Sequence, residues 1–211
     1  MLALTFTLYK NANPHELTPK QLTDLENEIK KPDPYVSSDQ YLDFILWSRG
    51  LPSRQQSFAQ FISKKLAKFP DARILEVGCG RTAILSRLLS EKGFNMTCLD
   101  KIVEPEHTQG VPAIKDTFDY RTFDLSNYDI VIAQEPCDAT EHILRACKEQ
   151  NKMFFMSLCG VPHKIIDGDM PKDYQAWYNH LLKVSDGYAK LIWLSLDPLS
   201  RTAILKSKVG L

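Results

Sequence analysis

Surplus charge is missing from this chain: 26 Lys and Arg face 26 Asp and Glu among 211 residues. A balanced chain carries no long-range field that would draw it to nucleic acid or to an anionic membrane. No apolar run is long enough to span a bilayer. Residues 1–9 lack a basic region and a small-residue cleavage site, so they read poorly as a signal peptide, and a cytoplasmic protein is expected. Cysteine is scarce, odd in number at five, and shows no Cys-x-x-Cys spacing. That excludes a disulfide framework and the common structural zinc sites, leaving reduced thiols and no metal as the expectation. There is no internal repeat and no low-complexity segment.

What is present falls into two regimes. Up to about residue 70 the pattern is helical. Thr18-Pro19 reads as an N-cap followed by proline at the first helical position, starting a helix that ends at Lys31-Pro32. A second helix is predicted over 39–47, with Leu42, Ile45 and Leu46 on one face, and a third over 53–69, with Phe58, Phe61, Ile62 and Leu66 at helical spacing. The alternation of Leu2, Leu4, Phe6 and Leu8 suits a strand.

From residue 72 strands and helices alternate in the α/β manner. Strands are predicted at 73–77, 95–100, 111–115, 129–133 and 152–159. Helices are predicted at 82–92, closed by Gly93, at 138–149, capped by Asp138, and at 172–184. Two further strands, 188–196 and 202–208, are separated by five residues. So short a connection cannot make a parallel crossover, so the pair runs antiparallel or diverges. The domain division expected is 1–70, a helical extension or lid, and 71–211, an α/β ligand-binding domain.

Nine glycines are few for this length, and two of them fall in Gly78-Cys79-Gly80. An apolar strand precedes them, a helix follows, and Asp100 waits at the end of the next strand. Gly78-x-Gly80-x-x-Ala83 with an acidic residue about twenty positions on fits the adenosine-dinucleotide fingerprint. The plain alternative is a strand-to-helix turn and nothing more. Glu76, two residues before Gly78, argues against a pyrophosphate, because a carboxylate there would repel it. A ligand with a cationic end suits that position better.

Glu76-Val77-Gly78-Cys79-Gly80 after an apolar strand, with a closing antiparallel hairpin, resembles the class I S-adenosylmethionine-dependent methyltransferases. The resemblance covers residue 72 to the end of the chain. It implies a Rossmann-like sheet of seven strands, mostly parallel, ending in a C-terminal antiparallel pair. It also implies S-adenosylmethionine as cofactor: Gly78 and Gly80 beside the methionine part, Glu76 on its amino group, Asp100 on both ribose hydroxyls, and Asp116, Thr117 and Phe118 near the adenine. Ala83 stands where the family often has a third glycine. The connector 101–110 is too short for the usual helix. A small uncharacterised branch of methyltransferase-like proteins has a similarly short connector followed by an acidic-aromatic run like Asp116-Thr117-Phe118-Asp119.

The acceptor side is less complete. Gln134-Glu135-Pro136-Cys137 keeps a polar residue before one proline, where amino-methylating members carry Asn or Asp, two prolines and an aromatic residue. Glu135 is the candidate base or substrate clamp; its alternative role is a strand-end carboxylate beside the next helix. His163 lies in a rim loop, and Cys137 and Cys159 lie on the same rim. The expectation is a methyltransferase acting on a small molecule or another unassigned acceptor. A non-catalytic binding module and an NAD-dependent oxidoreductase are the alternatives.

Overall fold

A computed structural model of the chain describes residues 18–30, 45, 46, 48–195 and 202–208. The chain divides into two compact units, Met1–Ser57 and Phe58–Leu211. The strand expected at residues 1–9 lies outside the described residues, as does most of the helix expected at 39–47, of which Ile45 and Leu46 are helical.

In the first unit, helix α1 (Pro19–Lys30) begins as its sequence says. Thr18 Oγ1 accepts from the Gln21 N–H, and the Gln21 side chain accepts from the Thr18 N–H, a reciprocal capping box. Ser53 and Gln56 repeat this arrangement at the start of α2 (Arg54–Leu66). From Phe58 on, α2 belongs to the second unit, and its Phe58, Ile62 and Leu66 lie in that unit's core.

That unit is a seven-stranded sheet in the order β3-β2-β1-β4-β5-β7-β6. Its strands are β1 (Arg73–Val77), β2 (Asn95–Leu99), β3 (Ala113–Ile114), β4 (Ile130–Gln134), β5 (Met153–Ser157), β6 (Ala189–Leu194) and β7 (Thr202–Ser207). The first five pair parallel. β7 runs antiparallel between β5 and β6. The Rossmann-like α/β sheet with a closing antiparallel pair is therefore present, and the hairpin inserts its second strand, not its first, against β5.

Both faces of the sheet are buried, which is why β1, β4 and β5 read as continuous apolar runs. Leu75, Val77, Val131, Ala133, Phe154 and Met156 face one layer. There they meet α4 (Thr140–Glu149) and α5 (Tyr174–Ser185) through Ile143, Leu144, Trp177 and Leu181. Ile74, Ile130, Ile132 and Phe155 face the other layer, made by α2 and the short α3 (Ile84–Ser90). Among the described residues no helix is long and apolar enough to cross a membrane.

Two local expectations change. β3 is only two residues long where the sequence predicts 111–115, while the connector before it, as its shortness implies, holds a single 3-10 turn, Pro105–His107, and no longer helix. Asp138 does not cap α4. It lies in the 3-10 turn Cys137–Ala139, and its Oδ1 accepts from the His163 N–H at 2.9 Å, tying down the loop that follows β5. The helix begins two residues later with no side-chain cap.

A buried polar node fastens this side of the unit. Glu141, 1% exposed, accepts from Arg145 Nη2 at 2.6 Å and Nε at 2.9 Å. It also accepts from the Ile166 N–H at 3.0 Å, and His180 Nε2 stands 3.2 Å away. His180 in turn stacks on Trp177 with centroids 5.5 Å apart. One carboxylate thereby joins α4, α5 and the loop between β5 and α5.

Candidate functional site

The carboxyl ends of parallel strands gather loops around a common edge, and ligands of such sheets bind there. Here a cavity of about 360 Å³ opens at the ends of β1, β2 and β4. Val77 and Leu99 line it at the ends of β1 and β2, Asp100, Ile102, Asp116 and Phe118 on one side, and Glu135, Pro136 and His142 on the other.

Of the residues singled out from sequence, Gly78, Asp100, Asp116, Thr117, Phe118 and Glu135 line this one cavity. Gly80 does not, but it serves it. Its N–H donates to Asp100 Oδ2 at 2.8 Å, while Asp100 Oδ1 accepts from the Ile102 N–H at 3.1 Å. The carboxylate is thus held in place by backbone donors on both oxygens. Arg81 pairs with Glu104, and the Glu104 N–H donates to the Arg81 carbonyl at 2.9 Å, fastening the short connector back onto the glycine turn.

Glu76 also lies outside the cavity wall. Side chains alternate along a strand, so Val77 faces the layer of α4 and α5 while Glu76 faces the layer of α3. Glu76 is 2% exposed, and its Oε2 accepts from the Ser86 N–H at 2.9 Å and from the Ser86 hydroxyl. Ser86 is in the first turn of α3, where the N–H groups have no partner within the helix. The carboxylate thereby satisfies one of the N–H groups that the start of α3 leaves without a partner in the helix. Burial pushes its pKa up to about 7, against the lowering effect of Ser86 and with further raising by Asp100.

The turn itself needs Gly78 more than Gly80. Both have positive φ, +78° and +68°. A Cβ at Gly78 would lie 3.2 Å from Pro136 Cα and Cβ, whereas at Gly80 it would meet nothing within 4 Å. Gly80→Ala is expected to cost about 1 kcal/mol, the conformational penalty alone. Gly78→Ala should cost roughly 2 kcal/mol and displace Pro136. Urea unfolding of the two variants measures the gap; equal losses would show that Pro136 gives way freely. Ala83, where the family often has glycine, adopts φ +46° at the N-cap of α3.

The acceptor-side segment is bent sharply. Glu135 at φ +53° and Cys137 at φ +49° flank Pro136, so two non-glycine residues in three are left-handed. Such outliers cost of order 1–3 kcal/mol each and cluster at functional sites. The Glu135 N–H donates to the Ser157 carbonyl at 2.9 Å, anchoring the bend to β5. Gln134 Oε1, just before it, is buried without a hydrogen-bond partner among the described residues.

Phe118 is 4% exposed and packs on Phe123 with centroids 4.9 Å apart. Asp116 Oδ1 accepts from the Thr117 N–H at 2.7 Å. His163, the rim histidine, is 92% exposed and outside the cavity wall, which holds His142 instead. The His142 Nδ1 is 3.5 Å from Asp119 Oδ1 and accepts from the Tyr120 N–H at 3.4 Å. His142 and Ile102 are among the wall residues that sequence reading passes over, and no local spacing marks them.

No protein-family model matches the chain. No curated protein matches it either. Among solved structures it is similar to an S-adenosylmethionine-bound amino pentose methyltransferase from Micromonospora echinaspora, 15% identical with a TM-score of 0.49, over 76% of this chain and 94% of that one. It is also similar to a sugar N-methyltransferase from Streptoalloteichus sp., 14% identical with a TM-score of 0.45, over 78% and 92% of the two chains. A third is the tRNA (uracil-54, C5)-methyltransferase of Pyrococcus abyssi in complex with S-adenosyl-L-homocysteine, 14% identical with a TM-score of 0.46, over 71% of this chain and 37% of that one.

Proposed function

We propose that the chain binds S-adenosylmethionine in the cavity at the ends of β1, β2 and β4 and transfers a methyl group to a small-molecule acceptor. The observation that carries this is Asp100. Each of its oxygens takes one backbone N–H, at 2.8 and 3.1 Å, and keeps further acceptor capacity. A carboxylate held this way suits two vicinal hydroxyls, one on each oxygen, as a ribose presents them.

The rest of the wall fits the same ligand. Ile102 and Phe118 offer apolar surface beside Asp100 for a base, with Asp116 and Thr117 at its edge. Gly78 lets the glycine turn pack against Pro136 at the edge of the cavity, where a Cβ would lie 3.2 Å from Pro136 Cα and Cβ. Glu76 and Asp100 are near enough for each to feel the other's charge. Asp100 places negative potential beside the turn, which favours a cationic ligand. Glu76 acts here through Ser86 and the turn, and a carboxylate there weighs against a nicotinamide dinucleotide.

When bound, the cofactor supplies an electrophilic methyl group on a sulfonium. Displacement at such a carbon is in-line, so alignment of the acceptor does most of the work. Glu135 stands in the wall with its backbone braced by Ser157, placed to accept a proton from the acceptor or to hold it by hydrogen bonding. Titration calorimetry with S-adenosylhomocysteine tests the binding half. Wild type should bind, and Asp100→Ala should weaken binding at least about tenfold, the loss of two hydrogen bonds to a charged acceptor. No heat with wild type, or unchanged affinity in Asp100→Ala, would sink the reading.

A further inference from the structure

Lysines gather at one corner of the second unit. Lys190 on β6 stands directly opposite Lys206 on β7 in the antiparallel register. Side chains paired in this way have Cβ atoms about 5 Å apart, and like charges so placed repel. Both lysines share the sheet face of Ile192 and Ile204, which pack into the cluster that holds Phe58, Ile62 and Leu66 of α2. Lys65, in the last turn of α2, and Lys68, just beyond it, are exposed.

The topology brings these four to one edge of one layer. A short turn joins the end of α2 to the start of β1, so α2 finishes at the amino edge of the parallel strands. β7 runs antiparallel to β5 and ends at that edge, and β6, antiparallel to β7, begins there. The electrostatics agree: burial, and then the charges of Lys190, Lys65 and Lys68, hold the Lys206 pKa below the usual lysine value.

Ordinary roles account for part of this group. Lysine in the last turn of a helix answers the helix dipole, and lysine on an edge strand such as β6 discourages pairing with other chains. Neither role calls for Lys206, on an inner strand across from Lys190. Among the described residues, the Lys and Arg side chains in ion pairs are Arg73, Arg81, Arg145 and Lys148, and none of the four corner lysines is among them. The exposed large apolar residues lie elsewhere: Ile102 in the cavity wall, Met170 and Tyr174 after β5, and Trp193 against Tyr178 on the other face of β6. The corner therefore offers positive charge with no apolar anchor for a membrane. It also has no arginine fork to read a planar group.

We propose that Lys65, Lys68, Lys190 and Lys206 form a binding surface for the sugar-phosphate backbone of a nucleic-acid strand, gripped by charge without reading the bases. The chain's net charge is zero, so the attraction is confined to this corner and fades within about 10 Å at 0.1 M salt. The surface lies at the opposite edge of the sheet from the cavity, and it does not rest on the cofactor reading.

The test is fluorescence anisotropy of the full chain with a labelled oligouridine of about twenty nucleotides, titrated across a salt series. Wild type should bind with a dissociation constant below about 0.1 mM at low salt. The plot of log affinity against log salt should fall with a slope of about −3, four phosphates at about 0.7 each. Lys190→Ala/Lys206→Ala and Lys65→Ala/Lys68→Ala should each weaken binding about tenfold and roughly halve the slope. Lys164→Ala/Lys172→Ala, in the loop after β5, should change neither. The Lys190→Ala/Lys206→Ala protein should unfold in urea no earlier than wild type, because it loses a like-charge pair, so its weaker binding is not a folding defect. No binding by wild type, or an unchanged slope in both corner variants, overturns the proposal. So does polyglutamate or an anionic phosphatidylserine vesicle held as tightly as the oligonucleotide.

Discussion

Glu141→Ala is expected to lower the unfolding free energy by roughly 3–5 kcal/mol, the range for removing one partner from a buried charged pair. Its side chain is 2% exposed, and the partners left behind are themselves mostly covered, Arg145 at 21% and His180 at 19%. The substitution leaves the Arg145 guanidinium and the His180 ring without their carboxylate and the Ile166 N–H without its acceptor. Loss of that last bond should also loosen the loop between β5 and α5, raising amide exchange there before global unfolding. Urea or thermal unfolding measures the loss; a change under about 1 kcal/mol would mean the node contributes no more than an exposed ion pair. The pH dependence has a definite sign. Burial favours the protonated form of Glu141, but Ile166, Arg145 and His180 together hold its pKa below the usual value of 4.5. Its contribution is therefore complete above that value and lost as pH falls through the lower, folded one, so wild type and variant should converge in acid.

Glu76 has the opposite sign. Its folded pKa is about 7 against 4.5 unfolded, so between those values the folded state holds more protons than the unfolded one. Stability then falls as pH rises through that window and levels off above it. Glu76→Gln keeps an oxygen for Ser86 and removes the charge. At pH 8 it is expected to be more stable than wild type by about 3 kcal/mol, and near pH 4 the two should agree within about 1 kcal/mol. Unfolding curves of both proteins across pH 4–8 give the comparison directly. Parallel curves with no widening gap would show that the carboxylate is ionised in the fold at neutral pH.

These two glutamates also mark how far sequence reading reaches. β1 is plain in sequence because a five-residue run ends on Gly78, and the antiparallel hairpin follows from its short connection. That β7 and not β6 joins β5 is a non-local pairing, and nothing near residues 189–207 encodes it. Glu76 stands out as an acidic residue at a fixed distance from Gly78. Its placement on Ser86 depends on which face of the strand it takes, and on α3 starting close enough to meet it. Asp138 looks like a cap because caps are local, yet its carboxylate is taken by an N–H 25 residues away. Glu141, Arg145 and His180 look like ordinary surface charges of amphipathic helices until α4 and α5 are laid together.

The insertion of β7 between β5 and β6 has a consequence for the order in which the chain is made. A ribosome releases β6 before β7, yet β6 touches the sheet only through β7. Until residues 202–207 emerge, the nascent β6 has no edge to join, and β5 is left as an open edge with a free row of backbone groups. The parallel part of the sheet can assemble earlier, because every strand from β1 to β5 is already out. The last strand therefore closes two gaps at once, and a chain stopped short of Thr202 loses β6 along with β7 and exposes the edge of β5 to pairing with other chains.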